Sequence, residues 1–533
     1  LTAPPGAGKS TAILISLTKN SAFSKGKIIV LEPRRLAAKQ VSSRMAQTLG
    51  EELGKTVGYR IRGEAKFSEK TKVEVVTTGI LIRMLQEDQQ LTGVSTVIFD
   101  EFHERSLNAD LGLAFCLEIA SVLRNDLKIL VMSATLDVTA ISKLMGNAPI
   151  VSCEGKSFPV TPIWQKKPVA QDQIIGKLTI DVILKAITEN KGSILVFLPG
   201  EGEIIKLASS LKNKVPDKCH VFPLYGRLNF KDQQKAIKPI LDGRKIVLAT
   251  NVAETSLTIE GIETVIDSGL SKRSIYDPNS GMARLVTQKI SKSEANQRMG
   301  RAGRLHPGIC YKLWSKAQDG SFSDFPPSEI ENSDLTPFAL ELALWGSNIN
   351  ELALLTRPKK KALSEAYKVL EMLGAVNKQL QITKNGRSLS KIPLHPRLAK
   401  IILAGGKDAT LLASVLSNGD PLNNMNNSDI NVRISSVKNY QNQKSDSSYS
   451  LKVPIVREIM KEISRLSKHL TNQSDYTVAQ LAALAYPDRI GKRREGKAPR
   501  YILSNGKGAI MAGSDPLVSV PYIVACNLDG NLK

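Results

Sequence analysis

TVIFDEFHER, residues 96–105, is a short run of β-branched and apolar residues closed by two adjacent acids, and its reading decides the fold. A run that is apolar without alternation suits a strand buried on both faces of a parallel sheet. At the end of such a strand Asp100 is placed to hold Mg²⁺, and Glu101 to orient and deprotonate an attacking water. The same texture recurs at KIIVLEP (27–33), VEVVTT (73–78) and LKILVMSAT (127–135), with amphipathic helical stretches between. After a proline- and lysine-rich bridge at 159–168 the rhythm restarts with SILVFLPG (193–200), HVFPLYG (220–226), KIVLATN (245–251) and ETVIDSG (263–269). The expected architecture is therefore two α/β domains in tandem.

Upstream, APPGAGKST (3–11) leads into a helical pattern. Backbone N–H groups around Gly6 and Gly8 would wrap phosphates, Lys9 would neutralise them, and Ser10, followed by Thr11, would meet magnesium at the helix N-terminus. The full signature asks for glycine where this chain has Ala3, so the strict spacing is not met. Together with Asp100 and Glu101 the loop forms a nucleoside-triphosphate-hydrolysing pair. His103 has two readings: a satisfied histidine bridging its neighbours, or a link between hydrolysis and movement. In QRMGRAGR (297–304), arginines recur at a spacing of three, which would range guanidinium groups along one helical face to grip a triphosphate across a cleft.

With 533 residues the chain is too long for one core, and a prior of three to five domains follows. Its formal charge of +23 favours a polyanionic partner. The excess is concentrated late: 12 basic against two acidic residues between Arg357 and Lys407, and 12 against five between Lys452 and Lys507. A solvated face is the alternative reading of such runs; attraction to a nucleic-acid backbone is the one preferred here. Five scattered cysteines with no C-x-x-C spacing support neither a disulfide framework nor a zinc site, and point to reduced thiols in a cytoplasmic protein. No apolar run approaches the roughly 18 residues that span a bilayer, so no membrane partner is expected.

Beyond about Pro327 helical periodicity takes over. SDLTPFALELALWG (333–346) has a helix start and a glycine stop; AYKVLEMLGAV (366–376) followed by LQITKNGRSLSKIP reads as a helix and a short hairpin. A helix is expected from Pro396, a long polar loop over 423–450, a helix over 451–470, and glycine-punctuated strands after Pro487.

Taken in order, APPGAGKST, EPRRLAA (32–38), TTG (77–79), DEFH, SAT (133–135), LVFLPG (195–200), TNVAETSLTIEGI (250–262) and QRMGRAGR resemble the motif series of the DEAH/DExH-box ATP-dependent RNA helicases of superfamily 2. DEFHERS, EPRR and the ending YPDRIGKRR…RYILSNGKGAIM bring the likeness nearest to the bacterial HrpB type. The resemblance implies ATP and Mg²⁺ as cofactors, 3′ to 5′ movement, and two RecA-like domains at 1–160 and 161–327. A winged helix (328–393), a helical ratchet-like bundle (394–485) and the start of an OB-like barrel (486–533) would follow and close a tunnel around single-stranded RNA. By the same resemblance Gln297 positions the lytic water, Arg301 and Arg304 act as arginine fingers, and Ser133 and Thr135 couple the two sites. Arg34, Arg35, Thr78, Thr250 and Asn251 contact the sugar-phosphate backbone, although ordinary loop roles stay open for Arg35 and Thr78. Adenine would lie between Arg44 and the position of Leu270, where relatives carry an aromatic; apolar contact without stacking is the expectation here. A monomer is expected, with an activating protein left open. The strand feeding the phosphate loop is expected to lie mostly before Leu1 and the barrel to continue past Lys533. Two other functions fit the same residues: a DNA translocase, since nothing reads a 2′-hydroxyl, and an RNA-binding scaffold with a decayed motor, which the intact Lys9, Asp100, Glu101, Gln297 and Arg301 oppose.

Overall fold

The computed structural model describes residues 1–2, 9–20, 22–23, 25–133, 138–153, 158–228, 230–240, 242–254, 259–277, 282–423, 426–443, 449–470, 474–496 and 498–528, with the backbone alone at Lys9, Ser10 and Phe230. Strands β1 (Lys27–Glu32), β2 (Val57–Ile61), β3 (Glu64–Lys66), β4 (Val73–Thr77), β5 (Val94–Phe99) and β6 (Lys128–Val131) form one sheet in the order β3-β2-β4-β1-β5-β6. Only the β2–β3 hairpin is antiparallel. β1 and β5 are buried along almost their whole length, as their unalternated apolar sequence requires. Past β6 the chain start joins the sheet. The Leu1 amino group donates to Val131 O at 2.7 Å, and Thr2 bridges in parallel to both Ser133 and Ser152. The segment leading into the phosphate loop is thus flanked on both sides.

A second sheet is wholly parallel. It contains β7 (Val160–Gln165), β8 (Ser193–Phe197), β9 (Cys219–Leu224), β10 (Arg244–Ala249), β11 (Ile262–Asp267) and β14 (Gly308–Ser315) in the order β7-β14-β11-β8-β10-β9. Between β11 and β14 the strands β12 (Leu270–Asp277) and β13 (Met282–Lys289) pair with each other. Alternate residues of one strand serve two cores: Ile194 and Val196 pack with Ile246, Leu248 and Ile266, whereas Leu195 and Phe197 pack with Val247, Ala249 and Val265. That division is the physical content of a continuous apolar strand.

The chain divides into two compact units: the first comprises 1–275, 285–332 and 353–357, the second 276–284, 333–352 and 358–533. Helix Thr336–Trp345 begins with proline in its first turn and stops at Gly346, whose φ of 92° suits glycine. Helix Pro396–Ala404 starts where its proline predicts. Two local expectations need correction. The hairpin after Val376 is reduced to a single bridge, Val376 to Ile382, because Thr383 caps a helix, Lys384–Ser390, by accepting from Gly386 N–H. The polar stretch taken as a long loop contains helix Ile430–Gln441, capped by Asp429 and buried through Ile434 and Val437. Its apolar residues lie four and seven positions after Ile430, a spacing hidden by polar neighbours. β15 (Ile490–Arg493), β16 (Arg500–Leu503), β17 (Gly508–Ile510) and β18 (Tyr522–Val524) form an antiparallel sheet in the order β17-β16-β15-β18. Among the described residues no helix is long and apolar enough to cross a membrane.

Candidate nucleotide and nucleic-acid site

β5 delivers Asp100 and Glu101 to the carboxyl edge of the first sheet. Asp100 N–H donates to Leu31 O at 3.0 Å, holding the strand end against β1. Glu101 then turns into the left-handed region, with φ 49°, and its own N–H donates to Asp100 Oδ1 at 2.8 Å. The short turn Phe102–Glu104 follows, anchored by the edge-on packing of Phe102 on Phe99 and by Phe102 N–H bonding Met132 O at 3.1 Å. His103 is buried, and its Nε2 lies 3.2 Å from Glu101 Oε2. Glu101 carries the carboxylate foreseen to activate water, so His103 stands beside it.

Glu32, at the end of β1, escaped the sequence reading. It is fully buried, and burial, followed by the nearby Asp100, Glu101 and Glu104 carboxylates, holds its carboxyl well above the usual range. Crowding carboxylates in one dry site disfavours the charged form of the most deeply buried one. The only sequence signal was an acid closing an otherwise apolar strand. Asp100 is a hard oxygen donor, buried to 3% exposure and fixed by a backbone N–H. That fits Mg²⁺, which takes one or two protein carboxylates and completes its shell with phosphate and water.

The phosphate loop itself, with Gly6 and Gly8, lies outside the described residues, as does Thr135. Lys9 and Ser10 open a helical turn, Lys9–Ile13, that includes Thr11 and continues as helix Leu14–Lys19, with Leu14 and Ile15 buried. Ser133 is buried beside Thr2, and its N–H donates to Leu1 O at 3.0 Å.

The second sheet supplies the opposite wall. Helix Lys292–Met299 is fixed by a capping box between Ser291 and Glu294 and carries Gln297 in a buried position. It ends before Arg301, so the arginines do not share one helical face as expected, and they divide by role. Arg298 is fully buried; its Nη1 donates to Asp267 Oδ1 at 2.8 Å, its Nε to Glu254 Oε1 at 3.3 Å, and its guanidinium lies 5.0 Å from the Phe197 ring centre. It pins the fold. Arg301 Nε donates to Glu254 O at 3.0 Å. Burial, then Arg304 beside it, hold the Arg301 pKa well below its usual value, while Glu101 opposes the shift. Burial lowers Arg304 to about 10, with Glu101 raising it and Arg44 lowering it. Arg304, Arg44 and Glu101 thus share one electrostatic neighbourhood, drawn from both sheets. Burial, partly offset by Arg298, lifts Glu254 to about 7.

Of the residues assigned to a nucleic-acid track, Arg34 and Asn251 come together: Arg34 Nη1 donates to Asn251 O at 2.7 Å, and Arg34 Nε to Glu104 Oε2 at 3.1 Å. Arg35 and Thr78 each stand at the first position of a helix, Arg35–Thr48 and Thr78–Glu87, and Thr250 precedes the turn Asn251–Ala253. The expected place of Leu270 against adenine is overturned. Leu270 is 1% exposed within the core that includes Ile174, Val196 and Leu313, so it offers no face to a base, whereas Arg44 is exposed.

Residues 1–144 match the DEAD/DEAH box helicase family and residues 178–306 the helicase conserved C-terminal domain. The ATP-dependent RNA helicase HrpB of Escherichia coli (strain K12) is 40% identical over 531 residues, which is 98% of this chain and 63% of that protein. The ATP-dependent RNA helicase HrpA of the same strain is 37% identical over 432 residues, 78% of this chain and 33% of that protein. The crystal structure of the Escherichia coli DEAH/RHA helicase HrpB superposes with a TM-score of 0.83 at 37% identity, covering 98% of this chain and 65% of that one. The chain accordingly spans less than two thirds of the length of these relatives.

Proposed function

The chain belongs to the DEAD/DEAH box helicase family, and from that membership we propose that it is an ATP-dependent RNA helicase of the HrpB type, working in the cytoplasm. ATP would bind between the two parallel-sheet domains, and its hydrolysis would drive 3′ to 5′ movement along single-stranded RNA and unwinding of duplexes. The observation that carries this reading is that Arg301 and Arg304, from the second sheet, lie within electrostatic reach of Glu101 on the first.

Gly6 and Gly8 would cradle the phosphates through backbone N–H groups, with Lys9 neutralising them. Ser10 and Asp100 would hold Mg²⁺, which supplies charge neutralisation on the phosphate oxygens when bound. Glu101 takes the proton of the attacking water, and the contact with His103 fixes its carboxylate. Gln297 orients that water. Arg301 is a guanidinium in a dry site whose charge is disfavoured by burial and by Arg304. A triphosphate would relieve that cost by replacing the neutral Glu254 carbonyl with an anion. Nucleotide binding is thereby favoured when the two walls are together, and release of phosphate removes the reason to stay so. Arg34, Arg35, Thr78, Thr250 and Asn251 would meet the strand through its backbone, which gives sequence-independent grip. We propose the module boundaries set out from the sequence, 1–160, 161–327, 328–393, 394–485 and 486–533, for this reading.

The test is steady-state ATP hydrolysis with and without single-stranded RNA, alongside unwinding of duplexes bearing 3′ or 5′ overhangs. Glu101→Gln is expected to lower kcat by about 10² to 10⁴, the range for removal of a general base. Unchanged turnover in that variant would overturn the catalytic assignment. Equal stimulation by RNA and DNA would move the reading to a general single-strand translocase, and unwinding from 5′ overhangs alone would reverse its direction.

A further inference from the structure

The chain leaves the first unit after Asn332, returns at Ala353 and leaves again after Arg357. Residues just before both departures are hydrogen-bonded to one loop, the one that follows the turn carrying Glu101. The Glu329 N–H donates to Arg105 O at 3.2 Å, and Leu107 N–H donates to Glu329 Oε2 at 2.8 Å. Glu329 opens the short helix Glu329–Asn332, whose last residue is the last of the first unit before that departure. Arg105 Nη2 donates to Thr356 Oγ1 at 3.0 Å, one residue short of the second. The same guanidinium grips Asp110 with both arms, Nε to Oδ1 at 3.0 Å and Nη2 to Oδ2 at 2.9 Å, in a buried pair.

The backbone gives these contacts leverage. Glu101 and Arg105 both have φ of 49°, at the two ends of the turn Phe102–Glu104. A left-handed conformation is disfavoured for a residue with a Cβ, so it persists only where neighbours hold it. At Arg105 the holders are the Asp110 carboxylate on the side chain and the Glu329 N–H on the carbonyl. The turn is stiff, with Glu104 N–H bonding Glu101 O at 2.9 Å and Arg105 N–H bonding Phe102 O at 3.0 Å. A rotation at Arg105 therefore reaches Glu101 within a single turn.

We propose that Arg105, Glu329 and Thr356 are positioning residues that relay the state of the second unit to Glu101, so that strand binding there sets the rate of hydrolysis. This rests on the ATPase reading above. The relay acts on the orientation of a carboxylate and leaves the phosphate-binding residues untouched; its effect belongs in kcat and not in the KM for ATP. It also makes the requirement at position 329 an acceptor for Leu107 N–H, which glutamine supplies as well as glutamate.

The experiment compares the whole chain with Glu329→Ala and Thr356→Val, and with the conservative Glu329→Gln and Thr356→Ser, in ATP hydrolysis with and without saturating polyuridylate. Glu329 is exposed and Thr356 part-exposed, so truncation leaves the core intact, and thermal unfolding of each variant checks that. For the first pair, basal turnover and the KM for ATP stay within about twofold of wild type. Their RNA-stimulated kcat falls about fivefold or more, the lower end of ordinary coupling between sites. The conservative pair behaves as wild type. Equal RNA stimulation in wild type and all variants overturns the relay, as does impairment of the conservative pair to the level of the truncated one. A wild-type chain that hydrolyses no ATP in either condition is a separate outcome, which removes the ATPase reading and the relay together.

Discussion

Arg298 stands in the same arginine run as Arg301 and Arg304, yet its environment sets it apart. Its side chain is enclosed between Asp267 and Glu254 with the Phe197 ring against it. Removing the cation would leave two buried carboxylates facing each other without compensation. Arg298→Ala is expected to destabilise the domain by about 3–5 kcal/mol, the usual cost of breaking a buried pair. Urea unfolding of the isolated variant measures it, and a loss below about 1 kcal/mol, the worth of an exposed pair, would show the site to be wet. Asp100 and Glu101 could be singled out from the sequence because two acids closing an apolar strand form a pattern of residue type and spacing, and the structure places them at the end of β5. Glu32 could not be: a carboxyl at a strand end reads the same whether it is solvated or fully buried, and only burial beside Asp100 raises its pKa. Leu270 failed for the converse reason, since its place in the motif order says nothing of the side on which the strand presents it.

Among the elements, the eight short apolar runs all became strands, because each is too short for a helix and rich in β-branched or aromatic residues; β6 and β9, last in their sheets, are only partly buried. β14 was missed. Its sequence, GICYKLWS, carries a lysine in the middle, and Lys312 is nonetheless 5% exposed, bonded to Asp319 at 3.2 Å and lying against the Trp164 and Trp314 rings. A cation buried by its partners is invisible to hydropathy. The helix Lys292–Met299 ends where glycines let the following loop press on β7. A Cβ added at Gly303 would come within 2.5 Å of Phe158 O and 2.6 Å of a Val160 methyl. Gly303→Ala is therefore expected to cost about 1–3 kcal/mol through overpacking, with the second sheet losing stability in urea more than the first. Hydrogen exchange across β7 and β14 localises the loss. An unchanged midpoint would mean that the loop can lift away from β7 at little cost.

For the molecule as a whole, the charge of +23 is the property that survives every rearrangement of detail. Much of it lies between Arg357 and Lys407 and between Lys452 and Lys507, where 24 basic residues meet seven acidic ones, 12 and 12 against two and five. If about five phosphates of a single strand are neutralised there, affinity should fall on the order of a hundredfold between 50 and 200 mM salt. Fluorescence anisotropy with a labelled oligouridylate measures the slope, and a salt-independent affinity would locate the binding energy in bases instead. Charge, motif order and the two-domain rhythm were determined by the sequence alone, because each is a property of residue type and spacing. The tertiary structure decided which arginine of QRMGRAGR is a pin, that Arg34 reaches Asn251, and that Arg105 ties the turn after Glu101 to Glu329 and Thr356. Those are contacts between residues separated by 200 or more positions or by the burial of one side chain, and neither distance nor dielectric is written in local spacing.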